Sequence, residues 1–242
     1  MKKIKLLFCL IFLYTITYGN EIDFGAINSD TEFIKNIVSQ PVSSNSFIDE
    51  SKYMFLYDSF GLSDKINYRI FKMAVKGYSK IEKKKNHYLV IVDYSKPSNE
   101  KRFLVLNMNT LKTEFYTYVA HGKNSGVEMA VAFSDKLNSY KSSLGFYLTG
   151  KTYNGRYGYS LRLYGLEERF NANAYKRGVV IHGAAASEPQ HLKNYGFLGR
   201  TEGCPAIPKS LNKEIIEKIQ KGSVVFIYGN DEKYLRESQL IK

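Results

Sequence analysis

Hydrophobic and polar positions follow two rhythms along this 242-residue chain, and the change falls near residue 86. From Glu21 to about Asn86 the pattern is helical and polar, broken by the turn cluster PVSSNS at 41–46. Within it Ile66, Ile70, Phe71, Ala74 and Tyr78 recur three and four apart behind a candidate cap at Ser63, which predicts an amphipathic helix ending near Gly77. Beyond His87 the runs shorten to strand length. HYLVIVD (87–93), RFLVLN (102–107) and 111–119 are apolar or alternating and are separated by turn formers such as KPSNE and NMN. Further strands are expected at 145–149, 160–164, 179–181 and 223–228. Most connections are too short for crossover helices, so the sheet should be largely antiparallel or mixed. Leu211, Ile215, Ile216 and Ile219 share one face of a late helix for which Gly222 supplies a stop. The pattern predicts an α+β, mainly β architecture: a helical lead-in at 20–86, a β-rich domain at 87–230 and a tail at 231–242.

The first residues add a targeting expectation. MKKIKLLFCLIFLYTITYG has a short basic start, an apolar stretch from Leu6 to Tyr14 and smaller polar residues after it, the layout of a secretory signal peptide cleaved near Gly19. That apolar stretch is about half the roughly 20 residues a membrane span needs, so no stable anchor is expected after cleavage. Cys9 would leave with the peptide, and Cys204 would remain as a single thiol without a disulfide partner. The net charge of +12 favours an acidic partner such as a carboxylate-rich cell-wall peptide. Nucleic acid is not expected, because no recognisable binding motif accompanies the charge. Tyrosine is abundant at 20 copies; several gather between Tyr140 and Tyr175 beside glycines, where they suit half-buried strands or the lining of a groove.

Candidate chemistry concentrates between Val179 and Pro208. An apolar run delivers His182 to Gly183, and a glycine-rich loop ends in Gly203-Cys204. A cysteine is a useful nucleophile only as thiolate, so it needs a base, a cation or backbone donors, and His182, Arg200 and the glycine-flanked backbone are the candidates. Gly203 lets a reacting carbonyl approach the chain, and neighbouring N–H groups can hold an oxyanion. His121 after a strand, Ser142 and Ser143 before Gly145, and Arg200 with Thr201 are candidates to bind substrate, Arg200 through a bidentate grip on a carboxylate. A rival reading is a zinc hydrolase built from His121, His182, His191 and Cys204. Those histidines lack the H-x-H or H-E-x-x-H spacing of zinc sites, so neither metal nor cofactor is expected.

Five blocks occur in an order that resembles the murein L,D-transpeptidase catalytic domain family, a YkuD-like branch: VAHGKNSG (119–126), SSLGFYLTG (142–150), YGYSLRLYGLE (157–167), VVIHGA (179–184) and LGRTEGCPAIP (198–208). A histidine followed by [Ser/Thr]-x-Gly-Cys falls on His182, Thr201, Gly203 and Cys204. The resemblance implies a mixed β-sheet sandwich or barrel in which the cysteine attacks, the histidine activates it and a main-chain carbonyl orients the ring. It implies peptidoglycan stem peptides as substrate, an exported enzyme in a periplasm or at a cell wall, and either cross-linking or carboxypeptidase trimming as the outcome. A non-catalytic peptidoglycan-binding protein is the remaining alternative. Glu202 departs from the wider pattern, where many members have histidine, and Pro205-Ala206 replaces the usual apolar-Asn or apolar-Arg pair.

Overall fold

The computed structural model describes residues 46–242; the signal-like segment and the first part of the helical lead-in lie outside the described residues. Two helices open the described chain, α1 (Ser46–Ser59) and α2 (Tyr68–Lys80). The N-cap of α2 is Asn67, whose side chain accepts from the Arg69 N–H at 2.8 Å, so the helix starts four residues after the expected Ser63. Nor does Gly77 end it. The helix runs on to Lys80 because Gly77 faces inward, and a Cβ there would lie 2.0 Å from the ring of Phe146. Gly77 is therefore a packing residue, which the sequence alone presents as a helix stop.

Eight strands follow: β1 (Tyr88–Asp93), β2 (Phe103–Asn107), β3 (Lys112–Thr117), β4 (Gly145–Gly155), β5 (Gly158–Gly165), β6 (Val180–Ala184), β7 (Ala206–Pro208) and β8 (Val224–Tyr228). They form one sheet in the order β3-β2-β1-β8-β4-β5-β6-β7. It is mixed, with β1–β8 and β6–β7 parallel and the other pairs antiparallel. The two edges then approach each other. Ala120, just beyond β3, exchanges hydrogen bonds with Ala206 of β7 at 2.8 and 3.4 Å, so the sheet nearly closes into a barrel.

Strand β6 extends past the expected end at Ile181 and carries His182 and Gly183 within the sheet. Strand β7 was not anticipated, because three residues that follow Pro205 and end in Pro208 carry no strand signal. The helices α3 (Pro189–Tyr195), α4 (Asn212–Ile219) and α5 (Glu232–Glu237) complete the structure. Helix α5 falls in the stretch expected as a tail. Its Tyr234 is fully buried, and its hydroxyl donates to Glu167 at 3.0 Å, as does that of Ser238 at 2.5 Å, which docks the chain end on the barrel.

One apolar cluster joins α2, the sheet and α4, with Phe71, Leu89, Phe146, Ile216 and Phe226 among its fully buried members. Phe146 stacks on Phe226 at 4.4 Å, so its ring has no room to retreat from a group added at Gly77. Gly77→Ala is expected to lower unfolding stability by about 2 kcal/mol or more. Urea denaturation beside an exposed control on the same helix, Arg69→Ala, checks this, and an unshifted midpoint for Gly77→Ala would contradict the packing.

Candidate active site

The pairing of β6 with β7 brings the sulfur and the imidazole to one face. His182 lies opposite Ala206 in the parallel register, and partners across a sheet point their side chains the same way. Cys204 precedes Ala206 by two residues and so lies one step along that face, beside Val180. The contacts agree: the Val180 N–H donates to Cys204 Sγ at 3.4 Å, and Gly178 O lies 3.6 Å from the sulfur. Cys204 is 6% exposed and His182 3%.

The ring of His182 has a defined tautomer. Nδ1 lies 3.2 Å from Gly183 O, and since a carbonyl only accepts, Nδ1 carries the proton. Nε2 is then a lone pair. It is buried and without a hydrogen-bond partner among the described residues, an uncommon state for a buried polar atom. Gly183 has no room for a side chain, because a Cβ would meet Asn212 at 2.8 Å where α4 begins. Burial lowers the pKa of His182, and it pushes the Cys204 thiol up to about 11, against the pull of the Val180 N–H and of Arg177. Both groups therefore rest neutral, and no hydrogen bond joins them: the sulfur lies against Gly178 O, and Nε2 of the ring has no partner among the described residues.

Around the sulfur the loop is tightly braced. Thr201 Oγ1 donates to Cys204 O at 2.7 Å and accepts from the Gly203 N–H at 3.1 Å. Gly203 N–H is thus committed to Thr201, and the amide of Cys204 itself is the remaining donor beside the thiol for an oxyanion. Gly203 has φ +120°, and a Cβ there would lie 2.8 Å from Lys141 O and 3.0 Å from Arg177 Nη2, so only glycine fits.

Arg177 escaped the sequence reading. Its guanidinium, with the side chain 4% exposed, donates to Ser134 O and Ser143 Oγ at 3.0 Å, to Lys141 O at 2.5 Å and to Ser139 Oγ at 3.3 Å, with Asp135 at 3.6 Å. It fastens the 134–143 loop beneath Gly203 and lends positive charge to the thiol. Tyr157 was missed as well. It sits at the β4–β5 turn between Gly155 and Gly158, and its ring stacks on His182 at 4.4 Å. Glu202 and Cys204 both influence its hydroxyl, so it covers the imidazole from the solvent side. A turn tyrosine carries no sequence signal for that position. Glu202 also lies 3.7 Å from Lys123.

The expected substrate contacts fall into two groups. Ser143 is buried, between Arg177 and the Tyr147 hydroxyl. Ser142 is buried too, and its Oγ accepts from the Gly122 N–H at 3.0 Å. Arg200 is exposed on the loop that leads to Cys204, and Thr201 braces that loop. His121 is held by partners of its own. It is 1% exposed, Arg102 Nη2 donates to its Nδ1 at 2.8 Å, and Nε2 lies 3.3 Å from Gly126 O. With both nitrogens engaged the ring is a strut of the wall, and the backbone carries its link to the site through the Thr201 N–H on His121 O at 2.9 Å. Among the described residues no group of three or more His, Cys, Asp or Glu stands close enough to hold a metal ion. A shallow cavity of about 360 Å³ opens elsewhere, beside Tyr57, Asp64, Tyr68 and Lys96.

The fold is thus a mixed, nearly closed barrel that carries one buried thiol and one buried imidazole on neighbouring strands. The sequence profile of the L,D-transpeptidase catalytic domain matches residues 62–228, and the chain belongs to that family. No curated protein matches the sequence. Among solved structures it is similar to an L,D-transpeptidase from Mycobacterium smegmatis at 11% identity and a TM-score of 0.38, with 59% of each chain covered, so it spans about three fifths of that protein. An L,D-transpeptidase from Stackebrandtia nassauensis is similar at 15% identity and 0.37, covering 87% of this chain and 96% of that one. Another from Xylanimonas cellulosilytica gives 9% and 0.34, over 82% and 90%.

Two outcomes follow from these surroundings. Burial and the Arg102 charge hold His121 down at about 4, against 6.5 for a free ring, so the unfolded chain takes up the proton first. Stability is then intact above pH 6.5 and falls as the pH drops toward 4, by up to about 3 kcal/mol. Urea midpoints across that range check it: His121→Gln should flatten the slope, and an equal slope in both proteins would contradict it. For the thiol, Arg177→Gln should move the pH profile of Cys204 alkylation by iodoacetamide upward and slow the reaction at pH 8.5 roughly fivefold or more. Peptide mass spectrometry reads the rate at Cys204, and an unmoved profile would remove Arg177 from the electrostatics of the sulfur.

Proposed function

We propose that the chain is an exported cysteine acyltransferase that acts on peptidoglycan stem peptides, with Cys204 as nucleophile and His182 as base. The observation that carries this reading is the bare, buried Nε2 of His182 on the face shared with Cys204. Nε2 takes the thiol proton, and the thiolate attacks the carbonyl that precedes the terminal D-alanine. The amide of Cys204 holds the oxyanion, and the imidazolium returns its proton to the departing amine of D-alanine. The products of this half are a thioester on Cys204 and free D-alanine. An amine of a second stem then attacks the thioester, gives its proton to Nε2 and restores the thiol as the new amide forms.

Transfer to an amine is favoured over transfer to water by the closure of the site. The thiol and imidazole are almost fully buried, and Tyr157 covers the ring, so an acceptor that displaces Tyr157 fills the space water would use. Carboxypeptidase action is the second reading. The signal-like start supports export, and the basic charge suits a carboxylate-rich polymer.

Purified protein mixed with disaccharide-tetrapeptide should show an acyl adduct on Cys204, free D-alanine and a cross-linked dimer by mass spectrometry. Cys204→Ala should keep its fold and lose turnover by at least about 1000-fold. Unchanged turnover in that variant would end the proposal, and tripeptide without dimer would select the carboxypeptidase.

A further inference from the structure

The face that carries Cys204 and His182 continues across β5 and β4, where it presents a row of tyrosines and one guanidinium to solvent. The register fixes the neighbours: Ser160 pairs with His182 and with Tyr153, Arg162 pairs with Val180, and Tyr164 lies two residues further on. All of them point the same way. Arg162 lies over the ring of Tyr153 at 4.3 Å and that of Tyr175 at 5.4 Å, and Tyr175 stacks on Tyr164 at 5.5 Å with the rings 11° from parallel. These rings are not core residues: Tyr164 is 43% exposed and Tyr175 51%.

Two glycines of β4 make the row. A Cβ at Gly150 would lie 2.5 Å from the Tyr164 ring, and one at Gly155 would lie 2.5 Å from that of Tyr153, so each ring fills space a side chain would occupy. Rings held this way by the backbone, by each other and by Arg162 form a preordered aromatic surface at little entropic cost on binding.

We propose that Tyr153, Arg162, Tyr164 and Tyr175 bind the glycan strand of the substrate, with the sugar rings lying on the tyrosine faces. Resting on the function proposed above, this adds a second contact to the same site. Pyranose rings offer an axial C–H face that packs on aromatic rings, and their hydroxyl and acetamido oxygens accept hydrogen bonds from a guanidinium. The distances favour a sugar over a second stem peptide. Cys204 and Tyr164 are separated by two strand spacings across the sheet and two residues along it, about 12 Å in all. Three extended stem residues span about 10 Å, so a carbonyl held at Cys204 leaves the sugar that carries the stem above Arg162 and Tyr164.

Binding is measured on glycan strands from which the peptides have been removed, using the full protein, a Tyr164→Ala/Tyr175→Ala variant and a Tyr164→Phe/Tyr175→Phe variant. The unaltered protein and the phenylalanine variant should bind these strands, and the alanine variant should bind about tenfold more weakly or worse. The alanine variant should also raise KM for disaccharide-tetrapeptide by a similar factor and leave turnover of the free tetrapeptide unchanged, which reports an intact fold. Failure of the unaltered protein to bind bare strands would overturn the proposal, as would equal binding by the alanine variant or full displacement of the strands by free tetrapeptide. The two readings separate cleanly. Bare strands that bind while no adduct forms on Cys204 remove the acyltransferase and leave the surface, and an adduct without strand binding does the reverse.

Discussion

The parallel register of β6 against β7 is the constraint from which the site follows. It places His182 opposite Ala206, and therefore Cys204 beside Val180 on the same face. A slip of one residue would turn the sulfur to the other face of the sheet, because side chains alternate. So much rests on a strand of three residues that it is held at several points. Ala120 pairs with Ala206 across the barrel closure, Ser187 Oγ donates to Ala206 O at 2.9 Å, and Thr201 ties down the loop before it. Near-closure of the sheet and alignment of the pair are therefore one event.

Burial gives that pair its character. A thiol and an imidazole out of water both favour their neutral forms, so the site is quiet at rest. Arg177 opposes this by bringing a cation under Gly203, and its donors are spent on the 134–143 loop, so the charge stays where the loop geometry puts it. The arrangement separates duties between residues that resemble one another in sequence. His182 keeps a bare nitrogen, and His121 gives both of its own to Arg102 and Gly126.

Much of the fold was legible. Alternating or apolar runs bounded by turn formers located seven of the eight strands, since period and punctuation are local properties. The failures share a cause. Gly77 has the look of a helix stop but is fixed by Phe146, and β7 is a strand only because β6 and Ala120 supply its partners. Helix α5 is amphipathic over too few residues to stand out, and it is held by Glu167 from elsewhere in the chain.

The amino-acid order by itself determined the cysteine and histidine types, the glycines around them and the family blocks, because these depend on residue identity and spacing. Which residues stand next to the thiol was decided in three dimensions. Arg177 and Tyr157 are separated from Cys204 by tens of positions, and no local pattern distinguishes them from surface arginines or from other turn tyrosines. The same holds for the roles of His121 and His182. Each follows an apolar run and precedes a glycine, and only the packing of Arg102 against one and the unpartnered, buried Nε2 of the other make them different.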